Sequence, residues 1–254
     1  MPNNNKNKPD YWSETIISFE SRNNLRTLSL AQVESANTRE VAIEEKTFKL
    51  RLAASEERRI SASMLIQKLY SWRGYASATT LDEAPNKITL LSFQDEQVNG
   101  TLTLGLDSAN GLYVDGLYKD RIDELRNSGR RVCEITKLAV DQGLRSKRVL
   151  AALFHLSYIL GRKIHGGTDF VIEVNPRHIL FYQRMLGLKK IGDEKICPRV
   201  NAPAVLLRLK LEYAEQKIAA LGGEIAGADG EKSLYPYFFS PMDEDGIVGR
   251  LQRD

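Results

Sequence analysis

The sequence predicts an α/β or α+β fold in which helices pack against a mixed β-sheet. Runs with strand-like period-two alternation recur along the chain, and segments with helical periodicity separate most of them. Two strand–helix–strand units follow one another near the middle, which implies locally parallel strands with right-handed crossovers. With 254 residues, 42% of them hydrophobic, the chain is long enough to bury the core of one or two domains.

Before residue 130 the pattern predicts a strand, a helix, a hairpin and a second helix. The strand covers residues 48–52, and Ser55 is a suitable N-cap for the helix after it. One face of that helix is predicted to be buried and carries Ile60, Met64, Leu65 and Leu69. The hairpin joins residues 88–93 to residues 101–106 through a polar turn that ends in Asn99-Gly100. Residues 115–127 form the second helix.

After residue 130 strands and helices alternate. A strand at residues 132–140 leads to an apolar helix at residues 149–160, and Gly166-Gly167 ends this unit. A strand at residues 170–174 leads to a helix with Asn175 as its N-cap and Pro176 as its first residue. That helix stops at Gly187, and residues 204–211 form the last strand.

Composition divides the chain into three parts. Residues 1–45 are predicted to form a polar, partly disordered arm. Their apolar residues are weakly spaced, so two alternatives stay open, a free arm and a helix that packs against another part of the protein. Residues 46–211 form the central domain. Residues 212–254 carry a helix and then an extension with an aromatic run at residues 234–239.

The same composition excludes several classes of function. A net charge of +3 is too small to indicate a nucleic-acid partner. Two cysteines without a C-x-x-C pair, and three histidines without ligand spacing, predict no metal site and a reducing compartment. Without a signal peptide or a long apolar span, we expect a cytoplasmic protein. No G-x-S-x-G, P-loop or G-x-G-x-x-G is present, so nothing indicates a serine hydrolase, nucleotidase or dehydrogenase.

Glu134 is the leading candidate for acid–base chemistry. Period-two alternation puts it on one strand face with Thr136, Leu138 and Val140, where a buried carboxylate is costly without a partner. Burial raises a carboxyl pKa and makes a general base, whereas a basic neighbour such as Arg73 or Lys137 would make it a structural ion pair. Glu173 on the next strand raises the same question, nearer that strand's end.

A basic turn and a tyrosine complete the candidate residues. Arg145, Lys147 and Arg148 precede the apolar helix, where they oppose the helix dipole and fit binding of phosphate or of an acidic partner. The alternative is a solvated helix end. Tyr182 lies two turns after Asn175 and offers a hydroxyl as a proton donor, or is simply a core aromatic. We expect His155 in the core and His178 within hydrogen-bonding reach of the site.

Together these residues resemble the GNAT acyltransferase family. In that family a loop of pattern Q/R-x-x-G-x-G/A holds the pyrophosphate of coenzyme A, and the next strand leads to N-x-x-x-x-x-x-Y. Asn175 and Tyr182 match the second pattern, whereas residues 142–148 have no second glycine to let the backbone wrap a diphosphate. The resemblance implies a GNAT-like mixed, mostly antiparallel central sheet with locally parallel central strands, flanked by helices.

A branch of the family that departs in this way takes its acyl chain from acyl carrier protein. The chain is similar to the long-chain N-acyl amino acid synthases of the FeeM type over residues 46–211. The similarity rests on residues 72–75, 134–140, 174–182 and 197–203, which read WRGY, EITKLAV, VNPRHILFY and CPRVNAP. It implies transfer of a long-chain fatty acyl group from acyl carrier protein to the amino group of an amino acid.

The resemblance also implies roles for individual residues. The acyl-phosphopantetheine of the carrier protein is the donor, with no cofactor bound by the protein itself, and it lies along Lys137, Leu138, Ala139, Val140 and Asn175. The acidic carrier docks on Arg145, Lys147 and Arg148, with Arg130 and Arg131 nearby. Arg73 and Arg199 are candidates to hold the amino acid carboxylate. Glu134 removes a proton from the ammonium, main-chain N–H groups after Lys137 stabilise the oxyanion, and Tyr182 protonates the leaving thiolate.

Two alternatives stay open. One is a related acyl-homoserine-lactone synthase, which would use S-adenosylmethionine as the acceptor. The other is a GNAT-like module without catalytic activity that binds acyl carrier protein or a lipid.

Overall fold

The structure is a computed structural model and describes residues 15–21, 46–71, 84–141, 147–225 and 230–252. Within these ranges nine strands form one sheet in the order β1-β2-β3-β4-β5-β6-β9-β7, with β8 also paired to β9. The strands are Ile17–Ser21 (β1), Lys46–Leu52 (β2), Lys87–Gln94 (β3), Gln97–Leu106 (β4), Val132–Val140 (β5), Asp169–Val174 (β6), Lys189–Lys190 (β7), Lys195–Cys197 (β8) and Ala202–Lys210 (β9).

Helices cover both faces of this sheet. They are Glu56–Ser71 (α1), Asp115–Asn127 (α2), Lys147–Tyr158 (α3), Ile179–Leu186 (α4), Leu211–Leu221 (α5) and Pro241–Leu251 (α6). A π-helical turn at Ile159–Ile164 continues α3, and 3₁₀ turns occupy Pro176–His178 and Tyr235–Tyr237. The predicted mixed α/β fold and the predicted element order are confirmed, whereas β1, β7, β8 and α6 were not predicted.

The sheet is mostly antiparallel, and β5 and β6 are its parallel pair. This pair confirms the first strand–helix–strand unit. The second unit was predicted wrongly, because β9 runs antiparallel to β6, with Val174 opposite Val205. The chain passes through β7 and β8 after α4 and reverses direction, so that it enters the sheet from the other end.

The predicted β3–β4 hairpin is confirmed, but it turns at Asp95-Glu96, and the predicted end of the turn at Asn99-Gly100 lies inside β4. Both turn residues have positive φ, 50° and 59°, as a two-residue type I′ turn requires. Gly100 lies inside β4 opposite Ser92, beside a register shift. A Cβ at Gly100 would lie 3.2 Å from Ser92 Cβ and 3.3 Å from Leu153 Cδ1. Glycine here therefore permits close packing of α3 on the sheet rather than a turn.

The buried face of α1 also differs from the predicted one. Leu65 and Leu69 are buried as expected, but Ile60 and Met64 are 54% and 67% exposed. The buried stripe instead begins at Ala62 and includes Ile66, which gives helical spacing of three and four residues. Alanine is small and only weakly hydrophobic, so the sequence pattern favoured a buried face that includes the larger neighbouring side chains.

The main core lies between the sheet and the three helices α3, α4 and α5, which cover one face of the sheet. Val149, Leu153, Leu156 and Leu160 of the predicted apolar helix are buried, and His155 is fully buried, as expected. Smaller clusters lie under α2 and α1 on the opposite face. The sheet is thus covered on both faces, and a site within it must open where two strands part.

Both ends of the chain add elements to this core. A piece of the polar arm forms β1, which pairs antiparallel with β2, and the Phe19 ring stacks on Phe48 at 5.8 Å. The Phe239 ring, from the aromatic run, meets Phe19 edge-on at 6.3 Å. Among the helices of the described ranges, none combines the length and apolar character needed to cross a membrane.

Candidate active site

A cleft opens in the sheet where β5 and β6 separate. Their parallel pairing covers three residue pairs and ends at Glu134 opposite Val171. Beyond this point the strands border a cavity of about 320 Å³, which α1, α3 and α4 also line. The cleft brings together six predicted site residues, Lys137, Leu138, Ala139, Val140, Asn175 and Tyr182.

A bulge at Lys137 shapes one wall of the cleft. Lys137 has a positive φ of 51°, and the register between β4 and β5 slips by one residue there. Before the bulge Glu134 faces α2, whereas after it Leu138 and Val140 pack toward the main core on the α3 face. The prediction that Leu138 and Val140 share a face with Glu134 was therefore wrong, because period-two alternation does not continue through a bulge.

Glu134 is buried next to the cleft and does not line it. Its Oε2 accepts the N–H of Tyr113 at 2.8 Å and its Oε1 accepts the N–H of Val114 at 2.9 Å. These N–H groups lie at the start of α2, where a negative charge also complements the helix dipole. Burial raises the pKa of Glu134 to about 8, and the two N–H donors oppose that shift.

Glu173 lines the cleft on the α2 face and forms an ion pair with Arg199. Its Oε2 also accepts a 3.5 Å hydrogen bond from the thiol of Cys197. Its Oε1 is buried and has no hydrogen-bond partner among the described residues. Burial raises the pKa of Glu173, while the Arg199 charge lowers it. The end of β6, where Glu173 lies, is the place where the cleft opens.

Three cations surround the ring of Tyr113, just before α2. Lys87 Nζ lies 3.7 Å from the ring centroid, Arg199 Cζ 5.3 Å and Lys137 Nζ 5.8 Å. Arg199 also donates to the carbonyl oxygen of Tyr113 at 2.6 Å. Positive charge is therefore concentrated around Tyr113, and Arg199 also pairs with Glu173. Tyr113 and Lys87 were not predicted as site residues, because neither belongs to a motif and the chain brings them together only after folding.

Tyr182 and Asn175 form the opposite wall of the cleft. The Tyr182 ring packs edge-on against Phe154 at 6.5 Å and against Phe181 at 5.2 Å. The Asn175 side chain accepts the N–H of Arg177 at 3.2 Å, which confirms its predicted role as a helix N-cap. The spacing between Asn175 and Tyr182 thus places a hydroxyl-bearing ring on the same cleft as the bulge. His178 lines this cleft as well.

The basic residues at the start of α3 contact aromatic rings from the two ends of the chain. Lys147 Nζ lies 5.1 Å from the Tyr237 ring centroid, and Arg148 Cζ lies 5.6 Å from that of Phe19. Neither residue lines the cleft. Two further basic residues with predicted roles, Arg73 and Arg145, lie outside the described residues.

Arg130 belongs to a network of ion pairs. It pairs with the buried Asp169, which also pairs with Arg208, and with Glu212. Asp169 is fully buried, so its two arginines compensate a charge that would otherwise be costly. Across the described part of the chain, no group of three or more His, Cys, Asp or Glu side chains could hold a metal ion.

Similarity to known proteins identifies a family for this chain. Residues 61–210, 150 of the 254 residues, match the family model of N-acyl amino acid synthase FeeM. The solved structure of FeeM, an N-acyl amino acid synthase from uncultured soil microbes, shares 28% sequence identity with this chain at a TM-score of 0.60. That alignment covers 65% of this chain and 92% of FeeM.

Two other solved structures are more distant. An acyl-CoA N-acyltransferase from Pseudomonas aeruginosa is 13% identical over 64% of this chain and 98% of its own, with a TM-score of 0.46. The AHL synthase LasI is 14% identical over 65% of this chain and 90% of its own, with a TM-score of 0.45. Neither likeness carries an argument about activity. No curated protein matched the sequence. The family match and the FeeM structure together show that the chain belongs to the FeeM family of N-acyl amino acid synthases and is an acyltransferase.

Proposed function

We propose that the enzyme transfers a long-chain fatty acyl group from the phosphopantetheine of acyl carrier protein to the amino group of an amino acid. An N–C bond forms, the thioester C–S bond breaks, and the carrier thiol leaves with a proton. The observation that carries this proposal is the cleft between β5 and β6, which has an apolar wall on one side and charged groups on the other.

The donor arm fits the cleft as an extended chain. Leu138, Val140 and Val174 offer apolar surface along the separated strands, and the strand edges offer main-chain groups for the amides of phosphopantetheine. N–H groups in the bulge after Lys137 are suited to stabilise an oxyanion, because a bulge turns main-chain donors away from the sheet ladder. The donor itself requires no cofactor bound by this chain.

Carrier docking is proposed at the start of α3. Lys147 and Arg148 lie next to the cleft-lining residue Leu150, and Arg145 precedes them in the sequence. Cations at this position attract an acidic carrier and its single phosphate. Arg130 is not included in the proposed docking surface, since it already pairs with Asp169 and Glu212.

The amino acid is proposed to bind on the α2 face beside Tyr113. Lys87, Lys137 and Arg199 supply positive charge for its carboxylate there, and Arg73 is a further candidate. The ammonium then meets Glu173, whose Oε1 has no hydrogen-bond partner among the described residues. A base must come within hydrogen-bonding reach of the proton that it takes.

Two carboxylates compete for the role of the base. Glu173 lines the cleft, whereas both oxygens of Glu134 already accept main-chain N–H groups. We therefore propose Glu173 as the group that takes the proton and Glu134 as a positioning residue that holds the Tyr113 turn. Glu134 acting through water is the competing assignment. Tyr182, on the α4 wall, is the proposed proton donor to the leaving thiolate.

A turnover assay tests the proposal. Purified protein is mixed with carrier protein loaded with C12 to C18 chains and with a pool of amino acids, and products are identified by mass spectrometry. We expect N-acyl amino acids, and a higher kcat/KM with carrier-bound donors than with the matching acyl-coenzyme A. Acyl homoserine lactone formed only with S-adenosylmethionine would indicate the synthase alternative. Carrier binding without any product would overturn the proposal in favour of a binding module.

A further inference from the structure

The chain continues well past the end of its family match at residue 210. Residues 211–225 and 230–252, called here the C-terminal segment, contain α5, the Tyr235–Tyr237 turn and α6. Leu234, Tyr235, Phe238 and Ile247 of this segment are buried, each at most 4% exposed. They belong to the main core on the α3 face of the sheet. The segment is therefore part of the folded core.

Hydrogen bonds fix the position of the aromatic run. The Tyr235 hydroxyl donates to the carbonyl oxygen of Leu186 at 2.8 Å, at the end of α4. The N–H of Phe239 donates to Nδ1 of the buried His155 at 2.9 Å. The His155 ring also stacks on Phe238 at 4.8 Å. These contacts hold Tyr235 and Phe238 rigidly against α3 and α4.

Tyr235 and Phe238 close a small apolar cavity of about 20 Å³ beneath the sheet. Its remaining walls are apolar and aromatic side chains of the core, including Phe154 and Ala214. Ile135 and Ile172 line both this cavity and the cleft. A hydrocarbon chain that passes these two isoleucines from the cleft therefore reaches apolar surface and ends against Tyr235 and Phe238.

We propose that the C-terminal segment forms the floor of the acyl-chain site and limits the length of the acyl chain. The inference rests on the proposed function, because it requires the acyl chain to lie in the cleft. A space of about 20 Å³ holds roughly one water-sized group. Close-packed interiors admit further methylene groups only when side chains move. Phe238 and Tyr235 are thus specificity-determining residues contributed from outside the family domain.

Chain-length profiles test this proposal. We would measure kcat/KM for carrier-bound donors from C8 to C18 with one amino acid, for the wild type and for Phe238→Ala. Removal of the ring enlarges the cavity, so the ratio of kcat/KM for the longest donor to that for a short donor should rise about tenfold or more. Discrimination of this size is typical of single methylene groups in apolar pockets.

Two further variants keep the test decisive. Phe239→Ala is the matched control, since Phe239 also stacks on His155 but does not line the cavity, and its profile should equal that of the wild type. Ala214→Leu fills the cavity and should shift the preference toward shorter chains, which decides the question if Phe238→Ala does not fold.

The two levels of the proposal fail in different ways. Product formation with the same chain-length profile in Phe238→Ala and Ala214→Leu would overturn the role of the C-terminal segment and leave the proposed function intact. An equal shift in Phe239→Ala would also overturn it, because the effect would then be unspecific. Absence of product from the wild type with every donor would overturn the proposed function itself.

Discussion

Glu173 and Arg199 form an ion pair on the α2 side of the cleft, beside the ring of Tyr113. The pair presents a carboxylate and a guanidinium side by side, which complement the ammonium and the carboxylate of an amino acid. We infer that the acceptor binds by exchanging partners with this pair. Its ammonium approaches Glu173 while its carboxylate approaches Arg199, so neither protein charge is left buried and unpaired.

Replacement of Glu173 by Gln should reduce kcat sharply and leave the fold intact. If Glu173 takes the proton from the ammonium, the loss is about 10²–10⁴-fold. The rate of the wild type should rise with pH as the carboxyl ionises, since burial raises the pKa of Glu173, and this limb should vanish in the variant. The exposed Glu224→Gln is the matched control. An unchanged kcat in Glu173→Gln would assign the proton transfer elsewhere.

Replacement of Glu134 by Gln should change how stability depends on pH. Burial raises the pKa of Glu134 from 4.5 to about 8. The contribution of this group to the free energy of unfolding is therefore fully present below pH 4.5 and is lost as the pH rises through 8. The slope is at most about 1.4 kcal/mol per pH unit for one proton. Urea unfolding between pH 5 and 8.5 should show a steeper decline for the wild type than for Glu134→Gln. Parallel curves would mean that the Tyr113 and Val114 N–H groups keep Glu134 ionised throughout.

Replacement of Lys87 by Gln should raise the KM for the amino acid and leave kcat nearly unchanged. Lys87 lies 3.7 Å from the Tyr113 ring centroid, where its charge would hold a carboxylate equally in the ground state and the transition state. Loss of such uniform binding appears in KM alone, here by about tenfold, or ~1.4 kcal/mol. The exposed Lys232→Gln serves as control. A fall in kcat of the same size would place Lys87 in the chemical step.

Reversal of charge at Lys147 should weaken carrier docking. Lys147→Glu is expected to lower kcat/KM for carrier-bound donors at low salt by about tenfold, because steering between charged surfaces acts on association. The loss should shrink as ionic strength rises. A short acyl-pantetheine thioester, which has no carrier surface, should react equally with both proteins. An equal loss with this small donor would show that the substitution damages the cleft rather than a docking surface.

Sequence patterns predicted the fold where periodicity was uninterrupted. The strand at Val132–Val140 was assigned with its observed bounds, because neither end is obscured by neighbouring apolar residues. Two of the errors fall where one extra residue enters a ladder, at Lys137 and beside Gly100. A bulge changes which residues share a face without changing their composition, so the sequence carries no signal for it.

The candidate site was predictable only in part for a related reason. Asn175 and Tyr182 belong to one motif on adjacent elements, and the structure brings both to the cleft. Lys87, Tyr113 and Arg199 are far apart in the chain and meet only through the sheet register. Glu134 drew attention because it is buried, yet a carboxylate can be buried to cap main-chain N–H groups as well as to act as a base.

Acidification below pH 6.5 should loosen the attachment of the C-terminal segment through His155. Because the N–H of Phe239 donates to Nδ1, we assign the ring proton to Nε2, which then donates to Glu244 at 2.8 Å. A second proton on the ring would abolish the bond from Phe239. Burial lowers the pKa of His155 below its usual 6.5, although Glu244 opposes this shift.

Acidification lowers the free energy of unfolding because the unfolded chain binds the proton more readily than the folded protein does. Below pH 6.5 His155 binds a proton in the unfolded chain but not in the folded protein, so the free energy of unfolding falls by up to about 1.4 kcal/mol per pH unit. Above pH 6.5 the contribution of neutral His155 to the free energy of unfolding is fully present. Urea unfolding from pH 7.5 to 5 should therefore fall more steeply for the wild type than for His155→Gln, which cannot titrate. The lower limit of pH 5 stays above the usual pKa of 4.5 for Glu244. Burial raises the pKa of Glu244, but its partners His155 and Lys163 outweigh burial and lower the pKa below that value. Equal slopes would show that His155 is charged in the folded protein, with the Glu244 carboxylate balancing that charge.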